Sequence, residues 1–218
     1  EYTCAKETEL TIKPASMTFE EAASIPQAGC MALQALTEKR TIQPGDEVLI
    51  NGAGGGVGTF AIQIASSLGA YTTAVDLTEK HAMLQSLGAS RVIDHTKEDF
   101  TKQDRQYDLI VDVIATRSIS DYKRALKPGG VYTMIGGRLG TIFQVGLLGG
   151  FVSTKERRLS ILIQQPNKPL GAFIKLFQEG KVKPIIDKVY PLEKLPEAFQ
   201  RIGNGSAKGK VVITLHAG

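Results

Sequence analysis

From residue 47 onward, short apolar runs alternate with stretches of helical period. Glu47 to Asn51 predicts a buried strand, and Val57 to Leu68 a helix closed by Gly69 in a left-handed cap. Tyr71 to Asp76 reads as a β-branched strand, Glu79 to Leu87 as a helix closed by Gly88, and Arg91 to Asp94 as a short strand. Tyr107 to Val113 is a near-continuous apolar strand. Ile119 to Leu126 is helical, and the turn Pro128-Gly129-Gly130 leads into a strand from Val131 to Ile135. Strands apolar on both faces, alternating with helices, imply a parallel sheet covered on both sides with right-handed crossovers. The expected fold class is therefore α/β, a doubly wound parallel sheet from about Ala28 to about Ile163.

The flanks have a different texture. Residues Glu9 to Lys13 alternate and stop at Pro14, which predicts a short strand. Thr18 followed three residues later by Glu21 forms a capping box, so a short helix runs up to Pro26, and Ala28 to Glu38 reads as a second helix. The uncharged, mainly apolar stretch from Leu139 to Val152 is interrupted by Gly140, Gly146, Gly149 and Gly150. It falls short of the ~20 residues a bilayer span needs and reads as a mobile or interface-forming segment. Leu159 to Gln164 reads as an edge strand, an invitation to pair two copies into a homodimer. Beyond Pro169 come a helix (Gly171 to Gln178), a strand near Asp187 to Tyr190, a helix near Leu195 to Ile202 and a closing strand from Lys210 to Leu215. Three regions follow: 1–27, 28–168 and 169–218.

Composition excludes several classes. The 218 residues are 42% hydrophobic and 22% charged, which suits an ordinary globular chain and excludes disorder. The net charge of +4 is dispersed, its densest run being Lys155-Glu156-Arg157-Arg158, so no nucleic-acid partner is expected. No membrane span is predicted. Cys4 and Cys30 show no disulfide or metal spacing, which suggests the cytoplasm. No signal peptide is visible at the start. The chain opens Glu1-Tyr2-Thr3-Cys4 without Met, in what reads as mid-strand, so it is expected to be part of a longer protein.

The chemistry sits in Val48-Leu49-Ile50-Asn51-Gly52-Ala53-Gly54-Gly55-Gly56-Val57-Gly58. Strand, glycine loop and helix in this order make a dinucleotide-binding fingerprint. Gly52 closes the strand. Ala53 and Gly55 let backbone approach a pyrophosphate, Gly54 and Gly56 give slack, and Gly58 lets the helix pack on the strand. The helix N-terminus, from Gly56 and Val57, offers free N–H groups to phosphate. No Lys-Ser or Lys-Thr pair follows, which excludes a nucleotide-triphosphate loop. Asp76 closes the next strand, where a carboxylate takes the ribose hydroxyls and repels a 2′-phosphate, favouring NAD. Lys80 and His95 could face the same ribose and keep NADP open. Ile114, Ala115, Gly136 and Gly137 follow the next two strands and are expected along the cofactor. An S-adenosylmethionine-dependent methyltransferase also uses a glycine loop, but would have an acid just before it, where Ile50-Asn51 stands. A short-chain dehydrogenase needs Tyr-x-x-x-Lys on a helix. Tyr2/Lys6 precedes the loop and Tyr190/Lys194 contains Pro191.

These residues resemble the medium-chain dehydrogenase/reductase superfamily, and within it the zinc-independent, quinone oxidoreductase-like branch. The resemblance rests on the Ala-type loop Asn51 to Gly58 and on Phe19 to Pro26. It extends to Ser86 to Ala89, Val92 to Asp94 and Leu126 to Gly130, and to Gly180 to Pro184, Pro191 to Glu193, Glu197-Ala198 and Gly209 to Val212. It implies a Rossmann domain inserted in a GroES-like catalytic domain, of which the two flanks here would be remnants. It also implies NAD(P)H, a small-molecule substrate, and hydride transfer to an electron-poor carbonyl or quinone. The superfamily's zinc-ligand position is matched by Gln27, not Cys30, so no zinc is expected. The branch has Thr where Met31 stands and an aromatic where His95 stands. No catalytic residue is assigned. A non-catalytic dinucleotide-binding fragment is the alternative.

Overall fold

A computed structural model describes residues 4–154 and 156–215, and the side chains of all of these but 148–152. Glu1 to Thr3 and Lys155, which entered the reading of the start and of the basic run, lie outside the described residues. The elements in chain order are α1 (Phe19–Ser24), α2 (Ala28–Thr37), β1 (Glu47–Asn51), α3 (Gly56–Ser67), β2 (Tyr71–Asp76), α4 (His81–Ser86), β3 (Arg91–Asp94) and β4 (Tyr107–Asp112). They continue with α5 (Ile119–Ala125), β5 (Leu126–Met134), α6 (Leu139–Val152), β6 (Arg157–Ile161), α7 (Leu170–Gln178), β7 (Ile186–Pro191), α8 (Leu195–Gly203) and β8 (Lys210–Thr214).

Six strands form one parallel sheet in the order β3-β2-β1-β4-β5-β6. The order reverses between β1 and β4, which leaves a crevice outside their carboxyl ends. The strand alternation predicted from sequence divides the core. Val48, Ile50, Leu109, Val111 and Val131 face one layer with Phe60, Ile64 and Phe173. Leu49, Ile110 and Tyr132 face the other with Tyr122, Phe100 and Leu159. Successive side chains of a strand point to opposite faces, so both faces are apolar and both are covered. Phe60 of α3 meets Phe173 of α7 edge to face at 5.0 Å, and Tyr122 stacks on Tyr132 at 4.3 Å.

Local signals in the sequence do what they predict. The Thr18 hydroxyl accepts from Glu21 N–H and the Glu21 carboxylate accepts from Thr18 N–H, closing the capping box of α1. Gly69 and Gly88 end their helices at φ +80° and +103°. Four departures from expectation follow. Residues Glu9 to Lys13 form no strand. Glu7–Glu9 is a single 3-10 turn and the following residues run unpaired, with Ile12 91% exposed. Alternation alone does not make a strand, which needs a partner to pair with. Leu139–Val152 is a helix, because a helix satisfies its own backbone while Thr141 and Val145 dock inward. The edge strand is Arg157–Ile161 rather than 159–164, and the predicted turn at Pro128 to Gly130 is a bulge inside β5.

The tail returns to the glycine loop. β7 and β8 pair in parallel as a separate two-stranded sheet. Gln63 of α3 clamps the approach to it. Its amide donates to Lys183 C=O at 3.0 Å and accepts from Lys183 N–H at 3.0 Å. Lys210 N–H donates to Ile185 C=O at 2.7 Å, and Gly209 N–H donates to Gly54 C=O at 2.9 Å. The last strand is thereby tied by main-chain bonds to the glycine loop.

Candidate functional site

The loop is shaped by its backbone. Gly52 has φ +78°, a region that L side chains rarely adopt. Gly52 and Ala53 N–H groups both donate to Val75 C=O at 3.1 Å, pinning the loop to β2. A Cβ on Gly58 would lie 2.5 Å from the Ala53 backbone, so α3 approaches β1 as closely as only glycine permits. The 12-residue α3 then starts at Gly56 with no side-chain cap, leaving its first N–H groups and positive dipole end for a ligand.

Above the loop lies a cleft of about 370 Å³. Gly52, Gly55, Gly56, Asp76, Lys80, His95 and Ile114 line it, so seven of the thirteen residues expected along the cofactor converge. The other six do not line it. Ala53 and Ala115 are fully buried, Val57 packs against the core, and Gly58 serves helix packing. Gly136 and Gly137 lie at the end of β5, where Ala115 N–H donates to Gly136 C=O at 2.9 Å and Ala115 pairs with Gly137. Met31 packs against the core, and Gln27 is exposed ahead of α2.

The polar floor is a network the sequence did not single out. Asp112, at the end of β4, has no exposed surface. Its Oδ1 accepts from Asn51 Nδ2 at 2.8 Å and Ile114 N–H at 3.1 Å, and its Oδ2 accepts from Tyr132 O–H at 3.0 Å. Asn51 also donates to Ile114 C=O at 3.1 Å. The ends of β1 and β4 are thus cross-linked under the cleft. Burial pushes the Asp112 carboxyl above its ordinary range, against the lowering effect of these donors. Nearby, hydrogen bonds from Thr78 and Thr96 hold the Asp94 carboxyl well below the usual range.

Asp76 is 7% exposed and Lys80 4%. Asp76 Oδ2 accepts from Gly54 N–H at 2.7 Å, and Oδ1 accepts from Leu77 N–H at 2.9 Å and faces Lys80 Nζ at 3.1 Å.

Sequence reasoning missed Lys210. Its aliphatic chain lies over Gly56, where a Cβ would come within 2.7 Å of Lys210 Cδ. Burial pushes its ammonium pKa down, and among the described residues no carboxylate pairs with it. An unpaired, half-buried cation over a helix N-terminus is an arrangement that an anion completes. The only signal was Gly209-Lys210 at the start of the last strand, with nothing local to say that it returns to residue 56.

Among the described residues no three His, Cys, Asp or Glu side chains are grouped to hold a metal ion. Cys30 is buried, and burial pushes its thiol up to about 11, so it is a poor ligand. No described helix is long and apolar enough to cross a membrane.

Residues 87–213 match the family described as zinc-binding dehydrogenase, and residues 19–120 match the alanine dehydrogenase/PNT C-terminal domain. The chain is 30% identical to a mitochondrial NAD(P)H oxidoreductase of Bos taurus, covering 99% of this chain and 60% of the relative. It is 32% identical to 2-methylene-furan-3-one reductase of Solanum lycopersicum, covering 98% and 51%. Its structure is similar to that of the quinone oxidoreductase from Coxiella burnetii, with a TM-score of 0.80, 30% identity, and 94% of this chain and 63% of that one covered. The chain belongs to the zinc-binding dehydrogenase family, within the medium-chain dehydrogenase/reductase superfamily. It spans about 60% of the length of the curated relatives it matches first.

Proposed function

We propose that this chain is the cofactor-holding part of an NAD(P)H-dependent oxidoreductase that delivers hydride to an electron-poor carbonyl or quinone. The observation that carries the reading is the glycine loop at the N-terminus of α3, opening on the cleft with Lys210 above it. The cradle fits a pyrophosphate: Gly55, Gly56 and the first turn of α3 would supply N–H donors, and Lys210 the countercharge. Ile114, with the bridge Ala115 to Gly137, would carry the rest of the dinucleotide along the strand ends. The bound nicotinamide supplies the hydride. The chain's own residues bind it, orient it and exclude water. The zinc-independent branch is part of this reading, supported by the Ala-type loop Asn51 to Gly58 and by Gln27 at the position matched to a zinc ligand. A cytoplasmic location goes with this reading, supported by two cysteines without disulfide spacing.

Titration with NADH and NADPH by nicotinamide fluorescence, followed by quinone-dependent oxidation, tests this. Binding with turnover is the expected result. Binding without turnover supports the non-catalytic alternative, and no binding of either dinucleotide sinks both. Lys210→Met is expected to weaken both dinucleotides alike, by about ten- to a hundredfold, since one charge-assisted contact to the shared pyrophosphate is worth about 1.5–3 kcal/mol. Unchanged affinity would remove Lys210 from the site.

Assembly belongs to the same reading. β6 is a sheet edge, and Leu139, Phe143 and Leu147 stand exposed on the adjoining α6. A homodimer through this edge, as expected for 159–164, would satisfy the unpaired backbone. Light scattering should give a dimer mass, and a monomer mass at micromolar concentration would overturn it.

A further inference from the structure

A carboxylate at the end of the second strand ordinarily selects NAD, by accepting from the ribose hydroxyls and repelling a 2′-phosphate. That selection requires a carboxylate whose charge is turned toward the ligand. The charge of Asp76 is turned inward. One oxygen accepts from Gly54 N–H of the loop, and the other from Leu77 N–H with Lys80 Nζ beside it. Lys80 has almost no exposed surface, and Asp76 is its anionic partner among the described residues. A buried ammonium without its carboxylate is strongly disfavoured, so each group holds the other in place.

The surroundings leave this balance undisturbed. From α4, His81 Nε2 lies 3.4 Å from the Asp76 main-chain oxygen, not from its carboxylate. From the end of β3, Asp94 is occupied by Thr78, Thr96 and, at 3.6 Å, Lys97. From the cleft wall come His95 and, over Gly56, Lys210. The loop is packed into the same knot, since a Cβ on Gly54 would meet Asp76 Oδ2 at 3.0 Å.

We infer that Asp76 and Lys80 form a self-neutralised lock on the glycine loop, and that the site therefore accepts dinucleotides with and without a 2′-phosphate on nearly equal terms. This rests on the cleft being a dinucleotide site. The lock displaces the simpler reading of Asp76 as a selector for NAD. It gives Lys80 a specificity role through Asp76, by cancelling the repulsion an unpaired carboxylate would exert.

The test is the ratio of dissociation constants for NADPH and NADH, measured calorimetrically on the wild-type chain, Lys80→Met and Asp76→Asn. The wild-type ratio is expected within about tenfold of unity, since a pair at contact distance presents little net charge. Lys80→Met unmasks the carboxylate and should weaken NADPH at least about tenfold more than NADH. Asp76→Asn unmasks the ammonium and should shift the ratio toward NADPH. A wild-type preference of about a hundredfold either way overturns the inference, as does a Lys80→Met that weakens both dinucleotides equally. If Lys80→Met fails to fold by circular dichroism, the wild-type ratio and Asp76→Asn still decide. Binding of neither dinucleotide to the wild-type chain refutes the site reading itself, an outcome distinct from binding with the wrong ratio.

Discussion

Gly58→Ala is expected to raise the dissociation constant for either dinucleotide by about a hundredfold, the order of loss that a misplacement of about 1 Å produces in a positioned site. The added methyl would sit 2.5 Å from Ala53 Cα and from Ala53 carbonyl oxygen, within the loop's own backbone. A flexible side chain could move aside, but this backbone is held by the two N–H bonds from Gly52 and Ala53 to Val75 C=O. Either those bonds stretch or α3 backs away from β1, and both move the helix N-terminus from the cleft. Overpacking of this kind costs about 1–3 kcal/mol, against a helix-propensity gain of about 1 kcal/mol for replacing glycine. Thermal unfolding should therefore show a lower midpoint along with the weaker binding. Gly171→Ala is the control. Gly171 lies in α7 with nothing within 4 Å of its would-be Cβ, so the same exchange should raise stability slightly and leave binding unchanged. Equal behaviour of the two variants would sink the argument that close approach at Gly58 shapes the site.

The glycine at position 58 is plain in the chain, while the backbone it must clear is a matter of packing, and the rest of the molecule divides in the same way. Strand β1 and strand β2 lie where the apolar runs put them, because a strand buried on both faces has few alternatives. That Gly52, Asp76 and Ile114 gather at one cleft was legible for a related reason. In a doubly wound sheet, whatever follows the central strands must gather at one end. Residues 9–13 failed because period-2 alternation specifies a face and not a partner. The helix over 139–152 was not legible because a run hydrophobic nearly all round has no moment to read. Lys210 was out of reach for a topological reason. Its place over Gly56 is set by bonds from Gly209 to Gly54 and from Lys210 to Ile185, and by the Gln63 clamp on Lys183. None of these contacts leaves a local pattern. The same holds for the Asp76–Lys80 lock. The i,i+4 spacing is visible in the chain, yet only burial and the Gly54 bond show which way the carboxylate faces.

The floor of the cleft leads to the second large effect. Asp112→Ala is expected to destabilise the fold by about 3–5 kcal/mol, because Asn51 Nδ2, Ile114 N–H and Tyr132 O–H lose their acceptor together, each unsatisfied buried donor costing about 1–3 kcal/mol. Asp112→Asn keeps the shape and the Oδ1 acceptor, while the Tyr132 hydroxyl can rotate to accept from the new amide, so its loss should be smaller. The two variants also separate charge from geometry through pH. Burial raises the native Asp112 pKa above its unfolded value, so between the two the native state binds the extra proton. Stability from this group is then fully present below the unfolded carboxylate range and is lost as pH rises toward the native pKa. Wild type should accordingly lose ground to Asp112→Asn on going from acid to neutral pH, in denaturant midpoints measured at constant ionic strength. The opposite slope belongs to Asp94, whose native pKa is depressed and whose contribution is lost as pH falls below the ordinary carboxylate range. Comparing wild type with Asp112→Asn cancels the Asp94 contribution, which both proteins share. A difference that stays flat with pH would mean that Asp112 titrates alike in both states and that its donors fully offset its burial. A wild type that gains on the variant as pH rises would mean that they more than offset it.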